Sequence, residues 1–196
     1  VWAPRLQVVR DALLKGVLPL HLDDAGALRN LTDRFFSIAD VAFTPQMVLL
    51  RFMEIGPYIL VNTLLLYTVA LLGLLWLRRR FGLSLTAFSV LFLLFSFNGS
   101  IQAHLAVGHP SWWGYFLFPL LVVLVVQLLD GEHGWWWSTR TALLLFFIWL
   151  QGAFHQYIWA LMLLGLLAAV SWKHFIPLLR ALLGTLVISA WRILPP

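Results

Sequence analysis

The 196-residue chain contains no cysteine, and only 11% of its residues are charged. The lack of cysteine excludes disulfide bonds and thiolate chemistry. A soluble domain is about one quarter charged and about half apolar, whereas 62% of this chain is apolar and its mean hydropathy is +0.90. The composition therefore excludes a water-soluble globule and predicts a membrane protein.

Acidic residues are scarce after the first quarter of the chain. Residues 1–54 hold six of the eight acids, and beyond them the only acids are Asp130 and Glu132. The net charge of +5 therefore belongs to the later part, where arginines are expected in cytoplasmic loops. The aromatic and basic interleaving of a nucleic-acid-binding protein is absent. We predict a juxtamembrane section over residues 1–56 on the outer face, a transmembrane domain over residues 57–196, and no nucleic-acid partner.

An initiator methionine and a signal-peptide pattern are also missing. The chain opens with Val1 and stops soon after an apolar stretch. We expect an internal piece of a longer, multi-pass protein of the bacterial inner membrane. Its expected partners are membrane lipids, with other membrane subunits left open.

Long apolar runs dominate the rest of the sequence. A spanning helix needs about 20 apolar residues, and three consecutive arginines, Arg78 to Arg80, mark the cytoplasmic side of the first span. The fold class is therefore an all-α integral membrane protein with about six transmembrane helices, some of them broken. The expected spans cover residues 57–77, 83–97, 113–129, 135–150, 154–171 and 175–191.

Two of these apolar runs are interrupted by polar or small residues, at 98–100 and at 151–153. Polar backbone at membrane depth is tolerated only against protein or a water-filled cavity. We therefore expect residues 98–113 to form an outer loop that lines such a cavity. Asp130 to Gly134 should form a short turn on the inner side.

The front section contains one amphipathic pattern. Leu6, Val9 and Leu13 are spaced by three and four residues, and the bases lie away from them. This spacing predicts a helix over residues 5–15 that lies on the outer membrane surface, although packing on the domain itself would satisfy it equally. Gly16 should end the helix, and residues 30–33 look like the start of another short one.

Five strings resemble the GT-C superfamily of integral-membrane glycosyltransferases. They run in the family's order through nearly the whole chain: RDALLKGVLP at 10–19, SFNGSIQAHLAVGHPSWW at 96–113, FPL at 118–120, QGAFHQ at 151–156 and WRILP at 191–195. The resemblance implies transfer of a sugar from a polyprenyl-phosphate-linked donor to an acceptor on the outer membrane face. It also implies an acidic base or metal ligand after the family's first span, which would lie upstream of Val1. The need for a divalent metal stays open.

Glycosyl transfer needs a base for the acceptor hydroxyl and hydrogen-bond donors for the leaving phosphate. Asp23 and Asp24 are candidates for the base or for metal ligands, and the alternative is a solvated turn that caps a helix. His104 and His109 are candidate donors to phosphate or sugar hydroxyls, and the alternative is interfacial histidines bonded to backbone. No third ligand lies near the two histidines, so we predict no metal site from them.

The remaining candidates follow the second interruption and the last span. His155 and Gln156 lie where polar side chains are costly and usually functional, with interhelical hydrogen bonding as the alternative. Arg192 is a candidate phosphate clamp or a snorkelling side chain. Most tryptophans belong to an interfacial belt, and two candidates for stacking on sugar rings stand out: Trp112 and Trp113.

Two other function classes compete with sugar transfer. The first is a non-enzymatic structural subunit of a larger membrane complex, including a pigment-bearing one in which a histidine ligates the pigment metal. The second is a transporter or flippase, whose broken helices would carry substrate sites. Ion-coupled transport needs charge inside the membrane, and the scarcity of acids in the spans argues against it.

Overall fold

The computed structural model describes residues 3–18 and 41–193. Within them the secondary structure is helical and contains no strand, which confirms the all-α fold class. The α-helices are α1 (Ala3–Leu14), α2 (Ile55–Phe81), α3 (Leu85–Ser96), α4 (Gly99–Ala106), α5 (Phe118–Leu129), α6 (Trp135–Leu150), α7 (Phe154–Val170) and α8 (Phe175–Ile193). Three 3₁₀ helices connect them, at Pro45–Arg51, Pro110–Leu117 and Trp172–His174.

Within residues 3–18 and 41–193, four helical stretches are long and apolar enough to cross a membrane. They are Ile55–Phe81, Leu85–Ala106, Ser111–Leu129 and Trp172–Ala190, and Phe154–Val170 is a shorter apolar helix. Large apolar side chains such as Leu64, Leu94 and Val187 lie exposed on these stretches, as expected where helices face lipid. The chain is thus a membrane protein, and the count of six spans stays a prediction.

The first long helix ends where the sequence indicates. Arg78, Arg79 and Arg80 occupy its last turn, and Gly82 takes a left-handed conformation with φ of 60°. Glycine adopts that conformation at little steric cost. The Ser84 side chain then accepts a hydrogen bond from the Ala87 amide and caps α3.

The interruptions after Phe97 and Leu150 are both present. Asn98 begins α4 by accepting hydrogen bonds from the amides of Ser100 and Ile101. The prediction of an outer loop over residues 98–113 was therefore wrong in its secondary structure. This stretch forms α4 and the start of a 3₁₀ helix, because a side-chain cap restarts the helix at the break.

The second interruption has the predicted bounds. α6 ends at Leu150 and α7 begins at Phe154, with a turn between them in which Gly152 has φ of 73°. The turn at 130–134 is also present, and Gly131 there has φ of 104°.

Close approaches hold the long helices together. Ser138 of α6 donates to the Pro177 carbonyl of α8 at 3.0 Å, and the Trp137 indole of α6 donates to the Leu124 carbonyl of α5 at 2.7 Å. In lipid, such small-residue contacts and interhelical hydrogen bonds drive helix association. Gly73 of α2 faces Pro119 so closely that an added Cβ would lie 2.8 Å from the proline Cβ.

The apolar face of α1 packs on protein. Leu6 and Val9 are 1% and 2% exposed and belong to the main core cluster, which also holds Met47 and Leu145. The expected helix is confirmed, and Gly16 follows its end with φ of 75°. The predicted surface-lying orientation was wrong for these side chains, because the 3₁₀ helix Pro45–Arg51 and α2 provide an apolar surface for them. Residues 30–33 lie outside the described residues.

Candidate functional site

Successive long helices run in alternating directions, so their termini lie at two ends of the described bundle. The arginine end holds Arg78–Arg80, the 130–134 turn and the 3₁₀ helix Trp172–His174. The break end holds the start of α2, both interruptions and the last turn of α8. The arginine end is tied by Arg80, which donates two hydrogen bonds to Asp130 at 2.8 and 2.6 Å. This guanidinium lowers the pKa of the Asp130 carboxyl. The predicted substrate-binding residues with described side chains all lie at the break end.

Three of those residues form one cluster, His104–His109–Trp112. The His104 ring stacks on Trp112 with centroids 4.2 Å apart and planes 8° from parallel. The Nδ1 atoms of His104 and His109 are 3.4 Å apart, so one of them donates and the other accepts if they share a proton. Gly108, with φ of 79°, allows the tight turn that brings the histidines together. The two histidines predicted from sequence spacing are therefore neighbours in space.

The histidine cluster lies against the second interruption. Gly114, two residues after Trp112, is so close to the α6–α7 turn that an added Cβ would lie 2.2 Å from the Cβ of Ala153. Trp112 also contacts Trp159 of α7, with centroids 6.0 Å apart. Trp159 was not predicted as a site residue. The 3₁₀ helix that carries Trp112 therefore packs against the second interruption, about forty residues further along the sequence.

His155 and Gln156, in the first turn of α7, differ in exposure. The His155 side chain is exposed and its ring contacts Phe154 at 5.9 Å. Gln156 is only 2% exposed. Of the two, His155 is accessible from outside the bundle, and Gln156 faces its interior.

Arg192 is buried at the break end, with 1% exposure. Its guanidinium donates to the carbonyls of Trp149 at 3.1 Å and Val41 at 2.5 Å, and it lies 5.7 Å from the centre of the Trp149 ring. The Phe43 amide donates to the Leu150 carbonyl at 2.7 Å. Arg192 thus fastens the 41–44 segment across the end of α6, and it does not snorkel to an interface.

Several polar atoms near Arg192 are buried without a hydrogen-bond partner in the described residues. They are the indole nitrogen of Trp149, the amide oxygen of Gln151 and the hydroxyl of Ser189. An unmade hydrogen bond costs about 1–3 kcal/mol for a buried polar group. This part of the break end therefore contains buried polar atoms for which the described residues supply no hydrogen-bond partner.

A polar network on α2 supports the first interruption. Tyr67 donates to the Ser96 carbonyl at 2.9 Å, and Gln102 donates to the same carbonyl at 2.7 Å and to the Tyr67 hydroxyl at 2.5 Å. The free carbonyl at the end of α3 is satisfied in this way. Sequence reasoning missed Tyr67 and Gln102, whose signal was a polar side chain inside an apolar run.

The structure does not support the predicted role of Trp113 in sugar stacking, nor the predicted role of Asp23 and Asp24 as the base. Trp113 lies in the core at 3% exposure, whereas its neighbour Trp112 lines the histidine cluster. Asp23 and Asp24 lie outside the described residues. Over residues 3–18 and 41–193, no group of three or more His, Asp or Glu side chains is arranged to hold a metal ion.

Comparison of the chain with protein-family models, curated proteins and solved structures gave no match.

Proposed function

We propose that this chain is part of a membrane glycosyltransferase that moves a sugar from a polyprenyl-phosphate-linked donor to an acceptor at the break end. The observation that carries the proposal is the close contact between the 3₁₀ helix Pro110–Leu117, which follows the first interruption, and the α6–α7 turn, through Gly114 and Ala153. It gathers histidine, tryptophan and glutamine side chains from separate spans into one region. The resemblance of these same stretches to GT-C enzymes supplies the reaction.

The orientation belongs to the same proposal. Arg78, Arg79 and Arg80 would face the cytoplasm under the positive-inside rule, and the break end would face outward. A bacterial inner membrane, with its outward-facing polyprenyl-phosphate sugars, fits that orientation.

The His104–His109–Trp112 cluster suits recognition of a phosphorylated sugar. An imidazole N–H donates to a phosphate or sugar oxygen, and a neutral imidazole accepts a proton from a hydroxyl. Because the two Nδ1 atoms contact each other, the Nε2 atoms are the ring nitrogens left for a substrate. Trp112 is half-buried and Trp159 is 49% exposed, and their indole rings offer apolar surface on which a sugar ring stacks.

The carboxylate that would accept the proton of the acceptor hydroxyl is not part of the His104–His109–Trp112 cluster. Asp23 and Asp24 stay candidates from the sequence, and the resemblance points to a further acid upstream of Val1. We expect alanine at both positions in the intact protein to reduce transfer if either is catalytic. Unchanged turnover would remove both from the mechanism.

The proposal is tested by sugar transfer in membranes that contain the intact protein and a radiolabelled polyprenyl-phosphate hexose. Replacing His109 by Gln should lower turnover at least about tenfold, since loss of a donor or base at a reacting centre costs on the order of 10²-fold. The matched control is His133→Gln, because His133 is an exposed histidine at the arginine end.

Binding of the donor separates recognition from chemistry. We expect His109→Gln to weaken binding of polyprenyl phosphate, whereas His133→Gln leaves it unchanged. Equal turnover in both variants, with normal protein levels, would contradict the proposal.

A further inference from the structure

A second feature extends from near the arginine end toward the break end, and no residue of the histidine cluster lines it. A groove of about 410 Å³ opens between α2, α5 and α6. Its walls are mainly apolar, and its polar lining residues are Gln127 and Arg140. Trp76, Leu124, Leu144 and Phe147 contribute apolar walls.

The groove opens toward the outside of the bundle. Phe147 is 39% exposed, and the Arg140 side chain is 46% exposed. Van der Waals contacts are lost wherever an apolar wall has no partner atoms. A membrane supplies acyl chains to such a surface, so the apolar part of the groove suits a lipid chain.

The polar lining residues both lie within about 8 Å of the helix termini at the arginine end. Arg140 is five residues into α6, about 8 Å along the helix, and Gln127 is two residues before the end of α5. The amide oxygen of Gln127 is buried without a hydrogen-bond partner in the described residues. Because that oxygen is buried, the polar group that the groove offers to a lipid headgroup is the half-exposed Arg140.

Arg140 has donors left for an anion. Its Nη2 donates to Glu132 at 2.8 Å and its Nε donates to the Trp136 carbonyl at 3.3 Å. A guanidinium carries five N–H donors, and in the described part of the chain these are the two bonds it makes. The remaining donors match the oxygens of a phosphate.

The charge of the arginine end favours an anionic headgroup. The chain places six bases there, at 78–80, 140, 173 and 180, and two acids, Asp130 and Glu132. Basic pockets between transmembrane helices bind anionic lipid headgroups. The surrounding charge and the unused Arg140 donors thus select for the same lipid class.

We propose that this groove holds one anionic phospholipid, with its acyl chain against Leu144 and Phe147 and its phosphate on Arg140. The inference does not rest on sugar transfer, because no residue of the histidine cluster lines the groove. Phosphatidylglycerol has the required anionic headgroup.

The test is native mass spectrometry of the detergent-purified full chain titrated with phosphatidylglycerol or phosphatidylcholine. We expect one phosphatidylglycerol to bind more tightly than phosphatidylcholine. Arg140→Gln should weaken phosphatidylglycerol binding about fivefold, which is the order of effect of one base near an anionic lipid surface. The matched control is Arg79→Gln, since Arg79 is an exposed arginine of the same end that does not line the groove.

Two more variants locate the lipid. Glu132→Gln keeps Arg140 and removes the acid beside it, so phosphatidylglycerol binding should hold or tighten. Leu143→Trp fills the groove from an exposed position and should release phosphatidylglycerol with little effect on folding.

Three results would overturn the inference. Equal weakening by Arg79→Gln and Arg140→Gln would indicate general surface attraction. Unchanged binding in Arg140→Gln or Leu143→Trp would place the lipid elsewhere. Displacement of phosphatidylglycerol by excess inorganic phosphate would indicate an anion site that needs no acyl chain.

Discussion

The contact between Gly114 and the α6–α7 turn is the most sensitive point of the described fold. A Cβ added at Gly114 would lie 2.2 Å from the Cβ of Ala153, and the next atoms, both of Ile148, are 3.6 Å away. The clash is thus with a single atom fixed to the backbone. Gly114→Ala should force the 3₁₀ helix Pro110–Leu117 away from the α6–α7 turn.

The size of the effect follows from that geometry. Overpacking of a close-packed site by one methyl group costs about 1–3 kcal/mol. Because Ala153 cannot rotate its Cβ away, we expect the upper end of that range, about 3 kcal/mol. For a chain of this length, a loss of that size lowers Tm by about 6–12 °C.

The assay is thermal unfolding of the purified protein in one detergent, with two comparison variants. Gly165→Ala is the control, because an added Cβ there meets nothing within 4 Å and alanine is favoured over glycine in a helix by about 1 kcal/mol. The double variant Gly114→Ala/Ala153→Gly removes the clashing atom. It should regain most of the lost Tm, less about 0.5–1 kcal/mol for the new glycine.

Two results would refute this reasoning. The first is a Gly114→Ala protein with the Tm of the unmodified chain. The second is a double variant as unstable as the single one, since it would mean that Ala153 is not the partner of Gly114.

Three further predictions concern single side chains. Asn98→Ala should destabilise α4 by about 1 kcal/mol, as expected for loss of an N-cap, with faster amide exchange at the start of α4 and recovery in Asn98→Asp. Arg192→Lys should cost about 2 kcal/mol, the scale of a hydrogen bond to a charged group, and should speed amide exchange at Phe43. Arg80→Gln should raise the pKa of Asp130, read by carboxyl NMR, because Arg80 lowers it. The stability from that pair is present above the ordinary pKa of aspartate and is lost as the pH falls below it.

The helix bounds at the second interruption could be predicted because the local signals agree. Gly152 breaks an apolar run that is long enough for two helices, and the predicted limits of α6 match the structure. The first interruption was predicted in place but not in conformation. Asn98 was taken as the start of a loop, although its side chain is a good helix cap.

The partners of the candidate site were harder to predict, since they depend on tertiary contacts. The spacing of His104 and His109 indicated a pair, but nothing in the sequence placed Trp159 beside Trp112. The burial of the Trp113 and Arg192 side chains also depends on which neighbouring helices cover them. The same limit applies to α1, whose amphipathic pattern fits a membrane surface and a protein surface equally well.

The packing of the segment that follows the first interruption against the α6–α7 turn is tested most directly by a distance measurement. The chain has no cysteine, so pairs of spin labels can be introduced cleanly at the exposed positions Val107, His133 and His155. The sixteen-residue α6 separates His133 from His155 by about 24 Å or more. We predict that the 107–155 distance is clearly shorter than the 133–155 distance. A 107–155 distance equal to or longer than the 133–155 distance would contradict a shared site at the break end.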